Sequence, residues 1–308
     1  YRRQRQMCIR DRPRRDTRWY SNGIMWCSIF HIFVVKKSAK YDMKIGISLN
    51  NIRFSYGKND VIKNVDLEIS NREIVSLVGP NGAGKTTLLK LMGGLLKPSH
   101  GKVYVMGKRI GEISPRSRAR IVSTVPQNPR VPQNLKLSEF VMLGRNAHLS
   151  LTQWESNEDV QIVNEALEVT DTLNLKERHL GKISGGELQR GMLALALAQK
   201  SPVMLLDEPT SNLDLSHQSK MMSLIANSHE SRVGPTVIGI HDLTLAARYS
   251  NRMILVSEGK VFADGTPEEV LTPANIKEAY GAEVAIIPHP EGGSPVVLPV
   301  FNSYPQTK

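Results

Sequence analysis

The stretch "GPNGAGKTT", residues 79–87, decides how this 308-residue chain is read. Gly79, Gly84, Lys85 and Thr86 stand at the spacing G-x-x-x-x-G-K-[ST], with Pro80, Asn81, Gly82 and Ala83 between them and Thr87 after. Glycines so placed let backbone N–H groups turn inward on phosphate oxygens, and a helix opening at Lys85 points its positive end there. In such a loop the lysine reaches the β- and γ-phosphates and the threonine hydroxyl ligates Mg²⁺. The flanks fit. "EIVSLVG", 73–79, is an apolar run suited to a strand covered on both faces, and "GKTTLLKLMGG", 84–94, reads as a helix closed by Gly93-Gly94.

Working outward, residues 46–56 alternate apolar and polar, as do Val65, Leu67 and Ile69, so both segments read as half-buried strands. "GKVYVMGKRI" (101–110) reads as a hairpin and "ARIVSTVPQ" (119–127) as a buried strand. From about 129 to 182 the pattern turns helical, with Ser138 as one expected N-cap. Ser156 and Asp159 stand at capping-box spacing before Val160, Val163, Ala166 and Leu167. Strand–helix alternation then returns through "VMLLDEP" (203–209), a helix from about Leu213, "TVIGIH" (236–241), a helix from Asp242 and "RMILVSEGKVFADG" (252–265). Helices around 267–280 and a hairpin, "EVAIIP…SPVVLPV", close the chain. This is an α/β core interrupted by a helical insertion.

"VMLLDEP" brings Asp207 and Glu208 to the end of an apolar strand. After a phosphate loop, Asp207 is placed to hold Mg²⁺ through water and Glu208 to activate the attacking water as general base. A second anion-site pattern, "ISGGELQR" from Ile183, sets Ser-Gly-Gly at the head of an apolar-striped helix and is followed by no lysine.

With these motifs in order, 43–308 resembles an ATP-binding-cassette (ABC) ATPase. "ISGGELQR" resembles that family's signature through Ser184, Gly185 and Gly186, with Ile183 for the usual leucine and Glu187 for the usual glutamine. The resemblance assigns Gln127 to the loop that senses Mg²⁺ and attacking water, "SNLD" ending in Asp214 to the D-loop, His241 to the γ-phosphate and Tyr56 to adenine stacking. It implies a P-loop NTPase fold with an antiparallel β subdomain and an inserted helical subdomain at about 129–190. The ATPase domain would span 43–281 and a C-terminal β extension 282–308. It further implies a homodimer clamping two ATP molecules head to tail, each P-loop closed over by the other subunit's Ser184 and Gly186. Expected partners are that second ATPase subunit, a separate transmembrane permease and, through it, a solute-binding protein. The chain would then sit at the cytoplasmic face of the cell membrane.

"EFVMLGRNAHLS" (139–150) resembles the iron-chelate and cobalamin importer branch through Gly144, Arg145 and His148, with Ala147 for the usual proline. Read without that resemblance, Arg145 and His148 are a solvated helix end. A ferric siderophore, haem or cobalamin importer is the reading favoured. A molybdate or tungstate importer, an exporter and a soluble non-transport cassette are the alternatives.

The net charge of +11 invites a nucleic-acid reading, which its distribution opposes. Residues 1–18 hold eight arginines and two aspartates, so +6 lies there and +5 is spread over the rest. No nucleic-acid partner is expected. "YRRQRQMCIRDR" resembles translated sequencing-adapter read-through, and "IMWCSIFHIFVV" (24–35) is shorter than the roughly twenty residues of a spanning helix. Residues 1–42 are therefore expected to be a non-native or disordered leader. Both cysteines, Cys8 and Cys27, fall in it, so no disulfide framework is expected for the body.

Overall fold

The computed structural model describes residues 44–300 apart from 128, 150–153, 212 and 291. The expected leader, with Cys8 and Cys27, and the last eight residues of the expected C-terminal extension lie outside the described residues.

Two sheets form the body. In the first, β1 (Ile45–Tyr56) folds back on β2 (Asn59–Ser70) and pairs on its other side with β4 (His100–Val105), which pairs β5 (Lys108–Arg109). All pairings are antiparallel. The period-two pattern decides which face is buried: Ile47, Leu49, Ile52, Phe54, Ile62, Val65, Leu67 and Ile69 all turn inward. Each fully buried aliphatic contributes about 1.5–3 kcal/mol.

The second sheet has the order β10-β9-β3-β8-β7-β6. Its strands are β3 (Ile74–Val78), β6 (Val122–Val125), β7 (Val203–Asp207), β8 (Thr236–Gly239), β9 (Arg252–Ser257) and β10 (Lys260–Gly265). Five run parallel, and β10 is an antiparallel edge. Every residue of β7 and β8 is buried, as continuous apolar runs require when both sheet faces are covered. Register puts Gly239 beside both Leu77 and Asp207, and Val125 beside Leu206. The loops leaving β3, β6, β7 and β8 therefore share one edge, the edge where open parallel sheets bind ligands.

Helix α1 (Lys85–Met92) follows β3, and α2 (Pro115–Ala119) follows β5 with Ser114 as N-cap. The insertion comprises α3 (Leu137–Met142), a 3₁₀ turn at Leu143–Ala147, α4 (Asn157–Val169) and α5 (Gly185–Ala198), which pack on one another. Ser156 and Asp159 form the expected capping box, and Val163, Ala166 and Leu167 are buried, while Val160 is exposed. Ser138 is not the cap of α3, whose N-cap is Lys136. The first N–H groups of α3 already have partners, since those of Leu137 and Ser138 donate to the carbonyls of Arg178 and Lys176, each at 2.9 Å. A subdomain boundary at 190 falls inside α5, a helix that also packs against β6.

Arg145 and His148 are not a solvated helix end. Arg145 is 7% exposed, and its guanidinium donates to Asp159 Oδ1 and to the Ala198 carbonyl, both at 2.8 Å. His148 Nε2 lies 2.8 Å from the Gln199 carbonyl, and Arg120 donates to the Ala147 carbonyl at 2.7 Å. These bonds join the 3₁₀ turn to α4, to the end of α5 and to the chain between α2 and β6. The reason lies in tertiary structure: a buried guanidinium persists only where a carboxylate and carbonyls surround it.

The remaining α-helices among the described residues are α6 (Leu215–Glu230), α7 (Leu243–Tyr249), α8 (Pro267–Val270) and α9 (Pro273–Tyr280). The chain closes with a separate hairpin of β11 (Val284–Pro288) and β12 (Pro295–Pro299). No helix among the described residues is long and apolar enough to cross a membrane.

Candidate active site

The phosphate loop is built by close packing from below and openness above. Gly79 has φ 150°, and a Cβ there would stand 2.1 Å from the Val256 carbonyl oxygen. Gly84, the N-cap of α1, has φ 106° and abuts Ile62 of β2. Gly82 faces open space at φ 79°. Leu88 N–H to Gly84 makes an early helical bond at 2.8 Å, so the N–H groups just before it have no partner within the helix, which suits an anion.

Lys85 is buried, and its ammonium donates to the carbonyls of Gly79 at 2.6 Å and Pro80 at 3.1 Å. Burial pushes its pKa below the ordinary lysine value, against the pull of Glu208 and Asp207. The Thr86 hydroxyl donates to Asp207 Oδ1 at 3.0 Å, tying α1 to the end of β7. Burial raises the Asp207 carboxyl above its ordinary value; the Thr86 hydrogen bond works against this and the charge of Glu208 adds to it. A hydroxyl and a carboxylate at this distance form a hard oxygen pair of the kind Mg²⁺ takes together with phosphate oxygens. No cluster of three or more His, Cys, Asp or Glu side chains able to hold a metal by itself occurs among the described residues.

Glu208 sits one residue beyond the strand with φ 51°, a left-handed conformation that costs a non-glycine residue about 1–3 kcal/mol. Its N–H is held by the Gly239 carbonyl at 2.9 Å. The carboxylate is thereby aimed across the sheet edge, where one oxygen accepts from Gln127 Nε2 and the other pairs with His241 Nε2. Its side chain is 10% exposed and that of His241 44%, so the carboxylate is screened and its partner reaches solvent. Lys85, Thr86, Gln127, Asp207, Glu208 and His241 thus form one connected site.

Three other predicted groups lie outside this cluster. Ser184 caps α5: its hydroxyl accepts from Glu187 N–H at 3.3 Å, and the Glu187 carboxylate accepts from Ser184 N–H at 2.7 Å. Hydrogen bonds from the Ser184 backbone N–H and side chain to that carboxylate hold the Glu187 carboxyl below its ordinary value. Among the described residues, none would lie within 4 Å of a Cβ on Gly185, whereas one on Gly186 would make ordinary contact with Leu213 and His217. Asp214 caps α6 through His217 N–H at 2.9 Å, and with the His217 ring and Ser216 these bonds hold it at about 2. Tyr56 is half exposed at the end of β1, edge-on to Phe54 with ring centres 4.8 Å apart.

Two supports of the loop carried no sequence motif. Gly259, in the β9–β10 turn, donates to the Ala83 carbonyl at 3.2 Å and accepts from Lys63 N–H at 2.8 Å, bridging the loop to β2. Its place in "SEGKV" marks only a turn. Tyr280, at the end of α9, lies with its hydroxyl buried beside Gly79.

The ABC transporter family matches residues 62–211. The ferric enterobactin transport ATP-binding protein of Escherichia coli strain K12 is 35% identical over 257 residues, 83% of this chain and 94% of that protein. A cobalamin import ATP-binding protein of Halobacterium salinarum is 38% identical over 240 residues, 78% of this chain and 60% of that protein. Among solved structures, a transporter described as metal-chelate type, in an inward-facing conformation, superposes with TM-score 0.73 at 25% identity, over 84% of this chain and 98% of that one. A dimeric ATP-binding cassette in a post-hydrolysis state, bound to ADP and Pi, gives TM-score 0.64 at 28% identity, over 72% and 98%.

Proposed function

The chain belongs to the ABC transporter family of ATP-binding proteins, and on that premise we propose that it is the ATPase subunit of an importer for an iron chelate or cobalamin-type compound. The observation that carries the catalytic part is the placing of Glu208. It is held between Gln127 and His241, next to the Thr86–Asp207 pair, and its charge pulls on the Lys85 ammonium.

The loop N–H groups and Lys85 bind the β- and γ-phosphates, exchanging the Gly79 and Pro80 carbonyls for phosphate oxygens. Thr86 and Asp207, with Gln127, would hold Mg²⁺, which offsets phosphate charge when bound. Glu208 takes a proton from the attacking water as its oxygen bonds to the γ-phosphorus and the bond to the β-phosphate oxygen breaks, leaving ADP and phosphate. His241 and Gln127 fix the carboxylate against that water. Tyr56 offers its ring to adenine. The open space beside Gly185 takes the γ-phosphate of a nucleotide on a second copy, with Ser184 and Gly186 alongside and Asp214 near the dimer seam.

The named transport roles of the relatives support the substrate class, and the ADP- and Pi-bound cassette dimer supports the paired arrangement. The subunit works at the cytoplasmic face of the membrane through a separate permease, served by a solute-binding protein. The test is reconstitution with the permease in vesicles. Mg-ATP-driven uptake of a ferric chelate or cobalamin that disappears in Lys85→Ala supports the reading, whereas hydrolysis coupled to efflux, or none, overturns it.

A further inference from the structure

The turn from β9 to β10 is made by two residues, Glu258 and Gly259, both at positive φ (49° and 78°), with Ser257 and Lys260 paired on either side. Two such residues in succession match the right-handed twist of the flanking strands, so the turn is tight and its tip is fixed in place. Glu258 stands exposed and Gly259 is buried. A Cβ on Gly259 would lie 2.1 Å from the Val61 carbonyl oxygen, so only glycine brings this backbone so close to β2.

The tip also lies against the phosphate loop. Gly259 donates its N–H to the Ala83 carbonyl at 3.2 Å, and its own carbonyl accepts from Lys63 N–H at 2.8 Å. Three residues earlier, the Val256 carbonyl backs Gly79. The end of β9 and its turn therefore hold the loop at two points, Gly79 and Ala83, while Val61 and Ile62 of β2 close on Gly84.

The peptide between Ala83 and Gly84 is the part of the loop that this setting governs. It is trans and planar, so its C=O and N–H point in opposite directions. Holding the Ala83 carbonyl on the turn therefore faces the Gly84 N–H away from the turn. That N–H makes no hydrogen bond among the described residues, whereas the Ala83 N–H is used on the Pro80 carbonyl at 3.2 Å. An N–H left without an acceptor beside the buried Lys85, at the head of α1, is a donor kept for an anion.

We propose that Gly259 is a positioning residue for nucleotide: by holding the Ala83 carbonyl it aims the Gly84 N–H at a phosphate oxygen, and through Lys63 it ties that aim to β2. The proposal rests on the nucleotide reading of the loop. Without the hold from Gly259 the peptide is free to rotate and turn its donor aside.

Gly259→Ala drives a Cβ into β2 and so tests the fold rather than the hydrogen bond. The deciding variant carries glycolic acid in place of Gly259 in the full chain, introduced by cell-free translation. It keeps the shape and the carbonyl and puts an ester oxygen where the N–H was. ATP binding is measured by calorimetry beside wild type and Lys85→Ala. The ester is expected to raise the Kd for ATP about three- to tenfold, the size of one hydrogen bond. Loss of folded chain lowers the number of binding sites and leaves the Kd of the remainder, so a merely structural contact does not give this shift. An ester chain whose Kd rises less than about threefold overturns the proposal, whatever its melting temperature. A wild type that does not bind ATP, or whose binding Lys85→Ala does not weaken, sinks the nucleotide reading instead.

Discussion

Glu208→Gln replaces an oxygen with an NH₂ group at the centre of the site and leaves its shape intact. The amide cannot accept a proton from water, so the loss is that of a general base, about 10²–10⁴-fold in kcat. That corresponds to about 3–5 kcal/mol on the barrier. The structure sets the other two terms near zero. Glu208 has no hydrogen bond to the phosphate loop, so ATP affinity should stay within about threefold, less than one hydrogen bond's worth. Its charge repels Asp207 but attracts Lys85 and pairs with His241, so neutralising it sets one unfavourable contact against two favourable ones and the melting temperature should move little. Single-turnover phosphate release, calorimetric ATP binding and a thermal melt measure the three quantities. Turnover within tenfold of wild type would refute the base assignment. An intact rate with a collapsed melting temperature would show that Glu208 serves the fold instead.

Other expectations concern the scaffold. Asp159→Asn strands the buried Arg145 guanidinium and should cost about 3 kcal/mol at neutral pH, read by urea unfolding. Hydrogen bonds from Ser156 and Arg145 hold the Asp159 carboxyl at about 2, whereas an unfolded aspartate titrates near pH 4. The folded pKa is the lower one, so this contribution is present above about pH 4 and is lost as the pH falls toward 2. The gap between wild type and variant should shrink across that window, and a gap constant with pH would contradict the ion pair. Gly79→Ala and Gly186→Ala should separate fold from function. The first drives a Cβ into the Val256 carbonyl and should unfold or sharply destabilise the chain, while the second meets ordinary contacts and should melt like wild type yet hydrolyse ATP more than about tenfold slower. A Gly186→Ala chain with full turnover would leave the signature glycine without a role in hydrolysis.

The parts of the fold legible in sequence are those fixed by local chemistry. β3, the glycine loop and α1 are contiguous, and their dihedral and packing demands are written in Gly79, Gly84 and the apolar run before them. The Ser156–Asp159 box is likewise complete within four residues. What escaped reading depends on distant neighbours. Ser138 looked like a cap because the carbonyls of Lys176 and Arg178, which serve that helix end, lie some forty residues on. Helix α2 is five residues long with no buried side chain, so it has no apolar stripe to betray it. Without the family resemblance Arg145 and His148 read as solvated, because their partners come from α4 and the end of α5. Gly259 and Tyr280 reach the loop from strands and helices far along the chain, and neither stands in a pattern that names its target.

The central claim is that this chain holds two half-sites, a phosphate loop and a Ser184-Gly185-Gly186 cradle, each completed by another copy. Sedimentation of Glu208→Gln with Mg-ATP tests it most directly. The predicted result is a mass that doubles with ATP, returns to one chain with ADP, and stays single when Ser184→Arg is added although that double variant still binds ATP. An ATP-saturated Glu208→Gln chain that remains single, or a dimer indifferent to Ser184→Arg, would contradict it.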